Sequence, residues 1–430
     1  FTLYDIRGME LIFYYLKKYI PKGLFAALQP VYHYTLALAG AIFYRFPSRG
    51  IFVIGVTGTK GKTTVTELVN AMLENAGHKT ALSNSLRFKI GDESRHNTFK
   101  MTMPGRFFMQ GFLRKAVNLG CAYAIVEVTS EGVRQFRHQF ISLNALIFTN
   151  LAPEHIESHG SYEKYRDAKL SIARALETSH KKRKFIVVNA DDKEAEKFLA
   201  FNIKEKYNYS LKDAEPYGLQ KESLTLALGG EKVRSNLSGI FNIYNILAAA
   251  VCARNLGISE KIIKKTVETF KGVPGRMEYV DLGQDFTVLV DYAHTPDSLT
   301  KVYETFPHAH KICVLGAAGG GRDVWKRHAL GEIANTHCSK IILTNEDPYD
   351  ENPLEIVHNI KQGIGRNICR IVMDRREAIR EALRSAGTGD VVIMTGKGSE
   401  PYIMGPEGSK TPWNEVEIVR EELGKIMKQR

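Results

Sequence analysis

Residues 51–64 read IFVIGVTGTKGKTT, and this stretch decides the fold. Ile51 to Val56 form an apolar, β-branched run of the kind buried on both faces of a parallel sheet. Gly58, Thr59, Lys60 and Gly61 turn the chain. From Lys62, Thr63 and Thr64 onward, Val65, Leu68, Val69, Met72 and Leu73 recur at helical spacing through about Asn75. Strand, glycine-rich turn and helix start together make a phosphate cradle. Backbone N–H groups and the positive end of the helix dipole face the anion, Lys62 meets the terminal phosphates, and the Thr63 hydroxyl suits magnesium. The strict P-loop pattern asks for Gly at position 56, where this chain has Val56. A plain strand–turn–helix leaves the Gly-Lys-Thr-Thr run unexplained, so nucleotide binding is expected.

Outward from this stretch, the length of 430 residues predicts two or three domains with their own cores. Between 49 and 272 strand-like and helix-like segments alternate, which predicts a P-loop-type doubly wound α/β domain. Its strands are expected at Ile51–Val56, Lys79–Leu82, Tyr123–Val128, Ala145–Thr149 and Phe185–Asn189. Gly272-Val273-Pro274-Gly275 reads as a hinge. A smaller Rossmann-like α/β domain follows over 273–430, with strands expected at Thr287–Val290, Lys311–Leu315, Lys340–Thr344 and Asp390–Met394. Residues 1–48 form an apolar N-terminal segment, Phe1 to Gly8 reading as an expression remnant before Met9. The run between Pro30 and Pro47 has about 16 residues, short of the roughly 20 that cross a bilayer. A helical pair over 9–48 is expected, with peripheral membrane contact through Lys17, Lys18, Lys22 and Arg45 as its sharper reading.

The net charge of +12 fits anionic ligands, but Lys and Arg are scattered and no nucleic-acid stripe appears. Cys121, Cys252, Cys313, Cys338 and Cys369 show no disulfide or metal spacing, so reduced thiols in a cytoplasmic protein are expected.

Several residues stand where open α/β sheets place their ligands. Glu127 ends the strand YAIVEV and suits magnesium, which takes carboxylate oxygens. His155 follows the strand ALIFTN among Glu154, Glu157 and His159, a candidate metal ligand. Tyr162, Tyr165 and Lys169 share one face of a helix, although by composition Lys169 reads as a surface lysine. Asn242 and Asn245 lie one turn apart, suited either to an adenine edge or to helix capping and core contacts. Asp291 to Pro296 follow the strand TVLV, where an Asp suits ribose hydroxyls. GAAGGGRDVWKR at 316–327 is a second glycine-rich turn, whose arginines suit an anion.

GTKGKTT, EVTSEGVRQFR, FTNLAPEHIESHG, Ala168-Lys169, GIFNIYN, GVPGRMEYV, DYAHTPDSL, GGGRDVWKR and GKGSE appear in the order and spacing of the Mur ligase family. Over residues 50–430 the chain resembles that family, most of all its MurE-type branch, which adds the third residue of the peptidoglycan stem. The resemblance implies that ATP phosphorylates a carboxylate of a muramoyl peptide, an incoming amino acid attacks the acyl phosphate, and phosphate leaves. It implies ATP and Mg2+ as cofactors. Lys62 and Thr63 would hold the β,γ-phosphates and, with Glu127, the first magnesium. His155 would help hold a second, supported by Lys169 as a carbamate. Asn242 and Asn245 would contact adenine. Arg276, Asp291 and His294 would bring the C-terminal domain onto the nucleotide. Thr102, Thr129, Gln135 and Arg137 match acceptor positions, and Arg322, Gly396 and Glu400 match positions around the incoming amino acid.

Three departures are visible. About 40 apolar residues stand in place of the family's uridine-binding domain, so a lipid-linked or otherwise altered acceptor is an alternative to a UDP-linked one. The family's Ser-His pair reads Ser130-Glu131 here. The family's Asp-Asn-Pro-Arg, whose arginine grips a distal carboxylate, reads Glu346-Asp347-Pro348-Tyr349. The acidic group Glu346, Asp347, Asp350 and Glu351 suits a side-chain ammonium, which points to a diamino acid such as lysine. Alternatives are another ligase of the superfamily, MurT-like or folylpolyglutamate-synthetase-like, or a membrane-associated nucleotide-binding scaffold without turnover.

Overall fold

The computed structural model describes residues 22–99, 101–154, 159–321, 324–365 and 369–429, with side chains from residue 28 onward. Its first element is helix α1 (Lys22–Phe43), which runs through Pro30. The other member of the expected helical pair falls on residues outside those described. Then follow β1 (Phe52–Thr57), α2 (Lys62–Asn75), β2 (Thr80–Ser83), β3 (Arg87–Ile90), β4 (Glu93–His96), α3 (Arg106–Asn118), β5 (Tyr123–Glu127) and α4 (Ser130–Arg134). β6 (Ala145–Phe148), α5 (Tyr162–Glu177), β7 (Phe185–Asn189), α6 (Ala195–Leu199) and β8 (Glu205–Tyr209) complete one sheet. Its order is β4-β3-β2-β5-β1-β6-β7-β8. From β2 to β8 all neighbours are parallel, and β3 and β4 extend it antiparallel.

Parallel strands need crossovers, and those crossovers bury both faces. Alternate residues of β1 accordingly enter two cores. Ile54 and Val56 pack with Val65, Leu68 and Ile246, whereas Ile51 and Val53 pack with Leu113 and Ile172. Each central-sheet strand that was expected is found within a residue of its place. β3, β4 and β8 were not expected; the Glu-Ser-Arg-His of β4 is exposed throughout and carries no apolar alternation.

The small sheet β9 (Gly218–Leu219), β10 (Leu224–Leu228) and β11 (Glu231–Ser235) precedes α7 (Ile240–Asn255) and α8 (Glu260–Thr269). The chain then passes Gly275, whose φ is +65° and where a Cβ would stand 2.2 Å from the Ser399 nitrogen. Only glycine lets the two backbones meet there.

The second sheet uses β12 (Glu278–Tyr279), β13 (Thr287–Val290), α9 (Pro296–Glu304), β14 (Lys311–Leu315), α10 (Trp325–His337), β15 (Lys340–Leu343), α11 (Pro353–Lys361), β16 (Cys369–Ile371), α12 (Arg375–Arg384) and β17 (Val391–Met394). The hairpin β18 (Tyr402–Met404) with β19 (Lys410–Pro412) and helix α13 (Glu415–Met427) close it. Its order is β12-β13-β17-β14-β15-β16, parallel except for β12. Arg375 on α12 pairs with Glu415 on α13 at 2.5 Å, both fully buried, and ties the last helix down.

The cysteines need one correction. Cys313 on β14 and Cys338 just past α10 form a disulfide, whereas sequence spacing had left all five reduced. The β14–α10 crossover returns residue 338 beside the strand it left, which a separation of 25 residues does not reveal. Cys121 and Cys252 are buried and free, and Cys369 is half-buried and free.

Ala37, Gly40 and Ala41 turn one side of α1 onto α3, with Gly40 against Phe107. Among the described residues no helix is long and apolar enough to cross a membrane.

Candidate active site

β1 runs straight into the cradle. Gly58 has φ +148°, and a Cβ there would stand 1.9 Å from the Thr149 hydroxyl oxygen, so this turn admits no side chain. The loop after β6 holds the cradle from below. Thr59 N donates to Asn150 O at 2.8 Å, Lys60 N to Asn150 Oδ1 at 2.9 Å, and the Thr149 hydroxyl to Lys60 O at 2.7 Å. Gly61 precedes α2 without any side-chain cap. The first N–H groups of α2, where Thr63 and Thr64 sit, therefore keep their donors for an anion. Lys62 Nζ donates to Thr59 O at 2.8 Å. Removal from water lowers its ammonium pKa, while Glu127 and Glu154 pull the other way.

Glu127, at the carboxyl end of β5, is buried and accepts from the Thr63 hydroxyl at 2.9 Å and from Ser85 N at 3.1 Å. Ser85 Oγ lies 2.8 Å from Thr63 Oγ1. These donors are all oxygens, as magnesium requires. Among the described residues no three His, Cys, Asp or Glu side chains gather around a metal position. One carboxylate and one hydroxyl nevertheless fit Mg2+, which keeps several waters and completes its shell with phosphate oxygens. His155 and Glu157 lie outside the described residues.

Lys169 is not on the surface. It is 1 % exposed, and its Nζ donates to Gly58 O at 2.6 Å beneath the turn. Burial first, and then the nearby Lys62 charge, depress its pKa well below the ordinary lysine range. Tyr165, one turn earlier on α5, places its hydroxyl 3.0 Å from Thr59 Oγ1.

Glu154 joins the two domains. It pairs with Lys60 Nζ at 2.9 Å and faces His294 Nε2 at 3.4 Å. His294 Nδ1 lies 2.8 Å from the Tyr292 carbonyl, which only accepts, so Nδ1 carries the proton in the neutral ring. Burial pushes this imidazole down to about 4.

Asn242 and Asn245 are both buried on α7. Asn242 Nδ2 donates to Ser238 O at 2.8 Å, and Asn245 Nδ2 to Asn242 Oδ1 at 2.9 Å. The Asn245 oxygen points at Gly61, where a Cβ would come within 2.2 Å of it. Both carboxylate oxygens of Asp291 accept backbone N–H groups, from Met277 at 2.8 Å and Ala293 at 2.6 Å. The Arg276 guanidinium lies over the Tyr292 ring at 3.9 Å, and the Tyr292 hydroxyl donates to Glu400 Oε1 at 3.0 Å.

A cleft between the domains is lined by Ser85, Thr102, Arg276, Tyr292 and Glu400, among others. It brings the magnesium side of the cradle to one acceptor residue and one amino-acid residue of the sequence reading. Thr129, Gln135 and Arg137 lie around α4. Thr129 caps that helix by accepting from Gly132 N at 3.1 Å, and Gln135 Oε1 accepts from Arg137 at 2.6 Å. Arg322 lies outside the described residues.

The acidic group at 346–351 is largely occupied by the chain itself. Asp347 Oδ1 accepts from Lys397 Nζ and from Met404 N, both at 2.8 Å. Lys397, fully buried, also donates to Glu400 at 2.7 Å. Asp350 accepts from Glu407 N at 2.7 Å, and Glu351 pairs with Arg327 at 2.7 Å. Glu346 is different. Its Oε2 is buried with no partner and faces Gly396, where a Cβ would come within 2.3 Å of it. Sequence reasoning missed Ser85 and Lys397. Lys397 had a signal, since GKGSE follows strand β17 at a carboxyl edge, while Ser85 had none.

Burial lifts the Glu346 carboxyl to about 7 from its ordinary 4.5. Between these values the folded chain binds more protons than the unfolded one, so this group lowers stability as pH rises through the window, by at most about 3 kcal/mol. Glu346→Gln is expected to melt above the parent near pH 8, with the gap closing by about pH 4.5 in thermal melts across that range.

The Mur ligase middle domain family matches residues 56–253, and the Mur ligase, glutamate ligase domain family matches residues 275–398. The UDP-N-acetylmuramoyl-L-alanyl-D-glutamate–2,6-diaminopimelate ligase of Syntrophomonas wolfei is 37% identical over 384 residues, covering 86% of this chain and 77% of that protein. The UDP-N-acetylmuramyl-tripeptide synthetase of Roseiflexus sp. is 36% identical over 420 residues, covering 91% and 82%. A solved structure of a UDP-N-acetylmuramoyl-L-alanyl-D-glutamate–2,6-diaminopimelate ligase superposes with a TM-score of 0.60 at 28% identity, covering 88% of this chain and 79% of that one. Mur ligases are ATP-dependent, ADP-forming amide ligases that use Mg2+, and the chain belongs to this family.

Proposed function

We propose that the protein adds an amino acid, a diamino acid, to UDP-MurNAc-dipeptide or a related muramoyl peptide through an acyl phosphate in peptidoglycan precursor synthesis. The observation that carries this reading is the uncapped start of α2, with Lys62 and the Thr63–Glu127 pair at its mouth, and Ser85, bonded to both Thr63 and Glu127, lining the cleft that holds Thr102, Arg276 and Glu400. Lys62 neutralises charge as the γ-phosphoryl passes from ATP to the acceptor carboxylate, and Arg276 approaches from the facing domain. Thr63, Glu127 and, as a carbamate, Lys169 would hold magnesium, with His155, and a bound ion there supplies further charge neutralisation. Asn245 beside Gly61 suits an adenine at the far side of the cradle. The amine then attacks the acyl carbon and phosphate leaves. Thr129, Gln135 and Arg137 hold the acceptor, and Gly396, Glu400 and Arg322 surround the amino acid. Glu346 keeps a carboxylate free for a side-chain ammonium, while Tyr349 offers no bidentate grip on a distal carboxylate.

Phosphate release is the test, with UDP-MurNAc-dipeptide and a panel of lysine, ornithine and diaminopimelate. Release is expected only when acceptor and amino acid are both present, with lysine used at least as well as diaminopimelate. Hydrolysis indifferent to both removes the ligase reading, and strict preference for diaminopimelate removes the part resting on Tyr349.

One observation favours peripheral membrane contact at the inner face of the cytoplasmic membrane. Leu28, Val31, Ile42 and Phe43 form an exposed apolar stripe on α1, and no charged residue falls between 28 and 43. Flotation with anionic vesicles is expected to carry the protein up, and Val31→Asp with Ile42→Asp to leave it behind.

A further inference from the structure

Where α1 meets the acceptor side of the central domain, positive charge gathers without a counter-charge. Tyr34 sits edge-on against Phe136 and Phe140, with ring centroids 6.0 and 5.3 Å away, and Tyr44 packs on Phe107. These anchors hold His33 near Arg106, the first residue of α3, and near Arg137. Arg106 is buried and donates through Nε to Gln135 O at 2.8 Å. Arg137 donates to Met103 O and to Gln135 Oε1. Every acceptor here is neutral. Among the described residues neither guanidinium has a carboxylate within ion-pair distance. Glu131 acts on Arg137 only from further away. Both ring nitrogens of His33, and Nε of Arg137, are buried with no hydrogen-bond partner. Burial and the two guanidinium charges press the imidazole down to about 4.

Cations packed together without a counter-ion, beside donors left unpaired, are costly unless an anion completes them. Two arginine forks suit phosphate oxygens in particular. We propose that His33, Arg106 and Arg137 form a phosphate subsite in which α1 supplies one wall and which takes the pyrophosphate of the acceptor. This rests on the reading that Gln135 and Arg137 lie on the acceptor side. A nucleotide-linked and a lipid-linked acceptor share that chemistry.

The test is calorimetric titration of inorganic pyrophosphate into the full chain carrying Lys62→Ala, which weakens the competing cradle by removing its cation. Binding is expected, weakened about tenfold or more by Arg106→Gln and several-fold by His33→Leu, with melting temperatures unchanged or raised. UDP and a short water-soluble isoprenyl diphosphate are titrated alongside, and whichever gains over pyrophosphate names the source. Absence of binding, or binding that both variants leave untouched, overturns the proposal. His33→Leu decides alone if Arg106→Gln does not fold. No turnover is involved. Intact pyrophosphate binding with no amino-acid-dependent phosphate release therefore removes the ligase reading, whereas the reverse removes the subsite.

Discussion

Lys62→Ala is expected to lose about 10³-fold in acceptor-dependent phosphate release while keeping its fold. The size follows from what the side chain does. A single preorganised donor at developing charge in a water-poor site contributes about 10²–10³-fold, and a full cation at the transferring phosphoryl group stands at the top of that range. The fold survives because Lys62 makes one bond, to Thr59 O, and its ammonium is already disfavoured by burial. Thermal melts of the variant are expected to match or exceed the parent. Turnover at the parental rate would leave no place for ATP in this cradle.

Lys169 carries the second large effect. Its amine is buried, and burial with the nearby Lys62 charge depresses its pKa well below the ordinary lysine range, which favours the neutral form that attacks CO2. In carbamylation the nitrogen bonds the carbon of CO2 and loses a proton. The product keeps one N–H for Gly58 O and gains two carboxylate oxygens beside the cradle. Removing dissolved CO2 is expected to lower activity and bicarbonate to restore it. Lys169→Ala is expected to lose about 10²-fold, with partial rescue by formate or acetate filling the vacated space. Intact-mass spectra of the native protein are expected to show one added CO2. Activity blind to CO2, together with a Lys169→Ala protein that carboxylates do not rescue, would leave Lys169 as a plain anchor of the Gly58 turn. In protein stripped of CO2, where the amine is free, Lys169 also sets a stability slope. Its folded pKa lies below its unfolded one, so the unfolded chain binds the extra proton and stability rises with pH up to the ordinary lysine range. Lys169→Met is expected to lose that rise in denaturant titrations.

Much of the fold was legible before any coordinates. The parallel strands were readable because crossovers bury them on both faces, leaving unbroken runs such as FIVVN at Phe185–Asn189. The cradle was readable because backbone N–H groups do the binding, so a glycine turn and a lysine announce it locally. β4 and the short strands β9 and β12 were not readable, since polar or two-residue strands have no period to find.

The alternation of the main strands and helices and the carboxyl-edge positions of Lys62, Thr63, Glu127 and Asp291 came from the amino-acid sequence alone. Each rests on local periodicity or on a turn that needs glycine. Tertiary structure decided which charges meet. Lys169 looked like a surface lysine until α5 packed it under Gly58, and Asp347 looked free until Lys397 reached it across 50 residues of chain. Cys313 and Cys338 were unremarkable until the crossover laid them together. Burial and pairing belong to the packed chain, because a side chain's charge state depends on the water removed around it and the partners brought to it.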